Sequence, residues 1–122
     1  MGAFMGTVLV IDDQFASRQM LAELAHSFDS QIQVEAFSSP HDALRWLGWH
    51  AADLVLVDYD MPDLSGVDFI RRVRALPSCT HLPLVIVTTQ DERDARYAAL
   101  DAGASDSLIR PVDHVECRVR CR

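Results

Sequence analysis

The sequence predicts a doubly wound α/β domain, a parallel sheet covered by helices on both faces. Three observations carry this. Short strand-like runs and helical patterns alternate five times along the chain. The inner runs are apolar almost without interruption, as strands buried on both faces are. Each is also too short for a helix of ordinary length.

Thr7 to Ile11 is the first such run, and Met20, Leu21, Leu24, Ala25 and Phe28 follow it at helical spacing. Gln31 to Phe37 alternates instead, with Ile32, Val34 and Ala36 on one side and Gln31, Gln33 and Glu35 on the other, which suits an edge strand. Ser39 before Pro40 is a good helix start, with the serine at the N-cap and the proline at the first helical position, leading into Ala43, Leu44 and Leu47. Leu54 to Val57 is the third strand, and Phe69, Ile70, Val73 and Leu76 mark the third helix. After the fourth strand, Leu84 to Val87, comes a helix over Asp91 to Ala102 that ends at Gly103. Its apolar positions are mostly alanine, so it should bury little and be the helix most ready to move. Ser107 to Ile109 is a short fifth strand. A last helix opens at Pro111 with an Asp113/Glu116 capping box and runs only to Arg122, as if cut short. With right-handed crossovers this is a three-layer (βα)5 sandwich of flavodoxin-like strand order 2-1-3-4-5.

Length and composition bound the function. One domain over residues 1–122, with residues 1–6 as a tail, uses the whole chain and leaves no room for an output domain. A formal charge of −7 argues against a surface that neutralises nucleic-acid phosphates or anionic lipid. The opening Met1 to Gly6 carries no basic residue and reads as neither a secretory signal nor a transit peptide, and no apolar stretch approaches the roughly 20 residues of a membrane span. Three cysteines without paired ligand spacing point to reduced thiols, and cytoplasmic is the expected location.

In a doubly wound sheet, ligands bind beyond the carboxyl ends of the strands. Asp12 and Asp13 follow the first strand, Asp58 and Asp60 the third, Thr88 and Thr89 the fourth, and Arg110 the fifth. Carboxylates gathered at one crevice repel one another unless a cation sits among them, and hard oxygen ligands favour Mg²⁺ or Mn²⁺. Magnesium keeps several waters and leaves positions for phosphate oxygens. A carboxylate beside it can be a nucleophile, while a hydroxyl and a guanidinium hold the transferred oxygens.

Taken in order, VLVIDDQ, LVLVDYDMPDLSG, LVIVTT, DAGASDS and RPVD resemble the receiver domain of two-component response regulators over nearly the whole chain. The resemblance implies that Asp58 accepts a phosphoryl group from a sensor histidine kinase, in a domain that catalyses only its own phosphorylation and dephosphorylation. It implies a Mg²⁺ site from Asp12, Asp13, Asp58 and the backbone carbonyl of Asp60, with Asp12 acting mainly through water. Thr88 matches the switch hydroxyl, with Thr89 beside it, and Gly66 the glycine that ends the active-site loop. Gly103-Ala104 matches the turn before the fifth strand. Gln14, Asp60 and Gln90 fall where hydrolysis of the acyl phosphate is tuned, and the Arg110–Pro111 bond is cis in the family. The face of the fourth helix, fifth strand and last helix is where a partner or a second copy would bind.

Two positions depart from the family pattern. Arg110 stands where it has lysine, and a planar, longer guanidinium is not an ammonium. Ser107 stands where an aromatic side chain follows the swing of the hydroxyl residue, so that rotamer switch is lacking. The ending RPVDHVECRVRCR resembles receivers that precede an HD-GYP-type cyclic-di-GMP phosphodiesterase, although an amphipathic helix with Val115 and Val119 inward accounts for the same residues. Asp58-x-Asp60 also resembles the nucleophile and acid pair of haloacid-dehalogenase-like phosphohydrolases. That pattern needs Thr or Val where Pro62 stands, and places the pair after the first strand. Cys117 and Cys121, one helical turn apart, lack further metal ligands, the five histidines show no ligand spacing, and no nucleotide-binding motif occurs.

Overall fold

The computed structural model describes residues 6–88, 93–110 and 121. Five parallel strands, β1 (Thr7–Ile11), β2 (Gln33–Phe37), β3 (Leu54–Asp58), β4 (Leu84–Thr88) and β5 (Asp106–Ile109), form one sheet in the order β2-β1-β3-β4-β5. Between them run helices α1 (Phe15–His26), α2 (Pro40–Leu47), α3 (Gly66–Ala75) and α4 (Arg93–Ala102). This is the fold and strand order that the sequence predicts.

Side chains alternate across each strand, so the unbroken apolar runs feed two cores. Val8, Val10, Leu54, Leu56, Val85, Val87 and Leu108 face one side and pack with Leu21, Leu24 and Ala25 of α1. Leu9, Ile11, Val55, Val57, Leu84 and Ile86 face the other, against Ala43 and Leu47 of α2, Phe69, Ile70 and Val73 of α3, and Ala99 of α4. Phe69 and Ile70 are fully buried, and each such side chain stabilises the fold by about 1.5–3 kcal/mol.

Several boundaries differ from the sequence reading for identifiable reasons. α1 begins at Phe15, ahead of the first apolar position of its pattern, and Phe28 packs on the core from beyond the helix end. β2 is the edge strand expected, but it starts at Gln33. Ile32 is buried before the strand begins, and Ala36 is exposed, because an edge strand is covered by few neighbours. Leu76 closes α3 instead of extending it and leads into an unanticipated 3₁₀ turn, Pro77–Cys79, that proline initiates. β5 starts one residue earlier, at Asp106. Ser39 stands at the α2 N-cap with Pro40 in the first turn, but its side chain makes no capping bond, whereas Ser65 Oγ accepts from Asp68 N of α3.

α4 buries only Ala95 and Ala99, as its alanine content implies. It ends in a Schellman motif: Ala104 N donates to Ala99 O, Gly103 N donates to Leu100 O, and Gly103 takes φ +121°, which a side chain would strain. Arg74 secures this corner by donating to the carbonyls of Gly103, Cys79 and Leu82 at 2.7–2.9 Å. Trp46 packs on the α2-side core and stacks on His50, while Trp49 is exposed. The tail before Gly6, Thr89, Gln90, the Arg110–Pro111 bond, the Asp113/Glu116 capping box and the Val115, Cys117 and Val119 positions lie outside the described residues. Cys121 is half-buried and packs on the α1-side core.

Candidate functional site

Parallel strands send all their carboxyl ends to one edge, and the register brings four of them side by side. Ile11 pairs with Val57, so Asp12 emerges beside Asp58, the last residue of β3. Asp58 pairs with Val87, and Thr88 with Ile109, so Thr88 and Arg110 complete the row. Arg110 N donates to Thr88 O at 2.8 Å, which continues the β4–β5 ladder past the end of β5.

Carboxylate oxygens of Asp12, Asp13 and Asp58 lie within 4.8 Å of one another. Asp12 and Asp58 border an open pocket of about 220 Å³, lined also by Gln14, Ser17, Asp60 and Arg110. Asp12 is almost fully buried and held on every side. Gln14 N donates to its Oδ1 at 3.0 Å, Arg110 Nη2 to its Oδ2 at 3.1 Å, and Arg18 Nη1 to its carbonyl at 2.9 Å. The same Arg110 Nη2 donates to Asp58 Oδ1 at 3.1 Å. One guanidinium nitrogen thus bridges two carboxylates and offsets part of their repulsion, in place of a two-pronged fork on one of them.

Burial, the charge of Asp12 and, least, that of Asp13 together raise the Asp58 carboxyl to about 6, against the hydrogen bond and charge of Arg110. Asp13 Oδ1, Thr88 Oγ1 and Ser17 Oγ are buried with no hydrogen-bond partner. Buried polar atoms are ordinarily partnered, so three orphans at one crevice mark a place where something polar binds. The donor set is all oxygen, anionic and open on one side, which fits a hard divalent cation that keeps part of its water.

The structure brings together Asp12, Asp13, Asp58, Asp60, Thr88 and Arg110 at this edge, as the sequence reading expects. Ser107 differs. It is buried within β5, one residue before Leu108 of the α1-side core and hence on the opposite face, and it does not line the pocket. Thr89 lies outside the described residues. The sequence reading missed Ser17 and Arg18. Ser17 stands in the first turn of α1, just after the Asp12-Asp13 pair, a nearness in sequence that could have flagged it. A hollow of about 270 Å³ at the opposite edge, between Leu47–Ala52 and Ser78, Cys79 and Leu82, gathers no acid or cation.

Fold and site together define a doubly wound domain whose switch-point crevice carries an oxygen-donor cluster, a buried hydroxyl and a guanidinium. The chain belongs to the response regulator receiver domain family, which it matches over residues 8–122. It is 38% identical over 114 residues to the cyclic di-GMP phosphodiesterase response regulator RpfG of Xanthomonas campestris pv. campestris, covering 93% of this chain and 30% of that protein. The chain therefore spans under a third of that relative's length. Among solved structures, a response regulator receiver domain from Clostridium thermocellum superposes with a TM-score of 0.83 at 27% identity, covering 94% and 90% of the two chains. The receiver domain of a Pseudomonas aeruginosa sensor histidine kinase, solved with magnesium coordinated in its active-site cleft, shares the fold with a TM-score of 0.84 at 22% identity, covering 96% and 95%.

Proposed function

We propose that Asp58 is the phosphoacceptor of this receiver domain and takes its phosphoryl group from a phosphohistidine of a sensor kinase. The observation that carries this reading is the meeting of three carboxylates with two orphaned oxygens, Asp13 Oδ1 and Thr88 Oγ1, at one strand edge. An Asp58 oxygen attacks phosphorus, the P–N bond to the donor imidazole breaks as the O–P bond forms, and the imidazole leaves neutral after taking up a proton. Asp13, Asp58 and the Asp60 carbonyl would hold Mg²⁺, with Asp12 reaching it through water, and the ion would supply positive charge to the transferred oxygens. Thr88 donates its free hydroxyl to one phosphoryl oxygen, and Arg110 turns from the Asp12–Asp58 bridge to another. No further substrate is turned over.

The chain acts as the switch of a longer regulator, and its resemblance to RpfG supports an HD-GYP-type phosphodiesterase as the output. The added charge biases two pre-existing arrangements of α4. Its face beside β5 then contacts a partner or a second copy. Incubation with acetyl phosphate and Mg²⁺ tests the reading: intact mass should rise by one phosphoryl group, and Asp58→Asn should abolish the rise. An increment that survives Asp58→Asn contradicts it.

A further inference from the structure

Three orphaned oxygens stand at the crevice, and the proposed reaction uses only two of them. The third is Ser17 Oγ, in the first turn of α1. A serine inside a helix usually donates to the carbonyl four residues earlier, here Asp13, or turns its hydroxyl to bulk water. Ser17 does neither: its oxygen is buried and unpartnered. Its residue lines the same pocket as Asp12, Asp58, Asp60 and Arg110. Asp13, just before the N-cap of α1, also has an orphaned oxygen.

Arg18 is committed to the Asp12 carbonyl through Nη1, and the Gln14 backbone N–H to the Asp12 carboxylate. Ser17 and Gln14 both line the crevice, and of the two only Ser17 carries a buried oxygen without a partner. A pocket of about 220 Å³ has room for several waters, each occupying about 30 Å³ in the liquid. Magnesium retains waters, and groups that hydrogen-bond its ligands fix their orientation.

We infer that Ser17 is a positioning residue of the cation site, its hydroxyl rotating from its buried, unpartnered position to hold a water bound to the divalent ion. This rests on the reading of Asp12, Asp13 and Asp58 as that site. It gives the cluster a neutral outer partner that does not add to its negative charge.

Magnesium titrations of the whole chain by calorimetry, with thermal unfolding in EDTA and in Mg²⁺, test it on wild type, Ser17→Ala, Ser17→Thr and Asp13→Asn. Ser17→Ala should weaken Mg²⁺ binding about tenfold, the scale found for outer partners of metal ligands. Ser17→Thr, which keeps the hydroxyl, should bind close to wild type. In EDTA, Ser17→Ala should melt no lower than wild type, because it deletes a buried hydroxyl that has no partner. Ser17→Ala binding Mg²⁺ like wild type while Asp13→Asn loses it overturns the inference and leaves the cation site standing. A melting point lowered in EDTA with an unchanged Mg²⁺ increment shows a structural role and also overturns it. If wild type does not bind Mg²⁺, or Asp13→Asn binds normally, the reading beneath it fails as well.

Discussion

Asp58 is a carboxyl whose surroundings disfavour its ionised form, which is costly for the fold. Its folded value of about 6 lies above the ordinary 3.8, so the native state binds this proton more tightly than the unfolded chain does. The stabilisation is complete below 3.8 and is lost as pH rises through about 6. Above that, ionised Asp58 destabilises the metal-free fold by on the order of 1–2 kcal/mol, allowing for solvent at the mouth of the site. Urea unfolding in EDTA should therefore show Asp58→Asn more stable than wild type near neutral pH, with the difference gone below 3.8. Arg110 works in the opposite sense. Its side chain is 24% exposed while Asp12 is 1% exposed, so Arg110→Ala strands a buried acid and should lower stability by about 2–3 kcal/mol at neutral pH. Asp12→Asn in the same background should recover most of that in the same urea titration.

At the scale of elements, the loop from β3 to α3 sets where Asp58 points. Gly66 N donates to Tyr59 O at 2.9 Å, and a Cβ on Gly66 would stand 2.7 Å from Asp58 O and 2.9 Å from Tyr59 Cα. Both neighbours are backbone, so neither can swing aside. Gly66→Ala should cost about 1–3 kcal/mol in urea unfolding, and the displaced loop should slow phosphorylation by acetyl phosphate. α4 is the contrasting case. It buries two alanines and leaves Tyr97 and Leu100 exposed, whereas α3 buries five positions. Amide hydrogen exchange should release α4 before α3, and an α4 protected as well as α3 would contradict its role as the moving element.

Across the whole molecule, what the sequence made legible was whatever burial on both faces dictates. β1, β3 and β4 are uninterrupted apolar runs because helices cover both sides, and their carboxyl ends then fix Asp12, Asp58 and Thr88 in one row. Edges and ends were less legible. Ile32 is buried outside β2, and Leu76 keeps the helical period after α3 has ended, because apolar spacing records burial and not backbone hydrogen bonding. Ser107 enters through the family's aromatic switch position, but strand alternation sets its side, and it does not line the pocket. The bridge from one Arg110 nitrogen to both acids and the orphaned hydroxyl of Ser17 depend on side-chain placement that no spacing rule supplies.

In the proposed function, carboxylates from separate strand ends share one divalent ion. Paramagnetic Mn²⁺, titrated into isotopically labelled protein, tests this directly through line broadening of backbone amides. Broadening should centre on Asp12, Asp13, Asp58 and Thr88, be displaced by Mg²⁺, and vanish in Asp13→Asn. Broadening centred on any other part of the chain, or unchanged in that variant, would contradict the account.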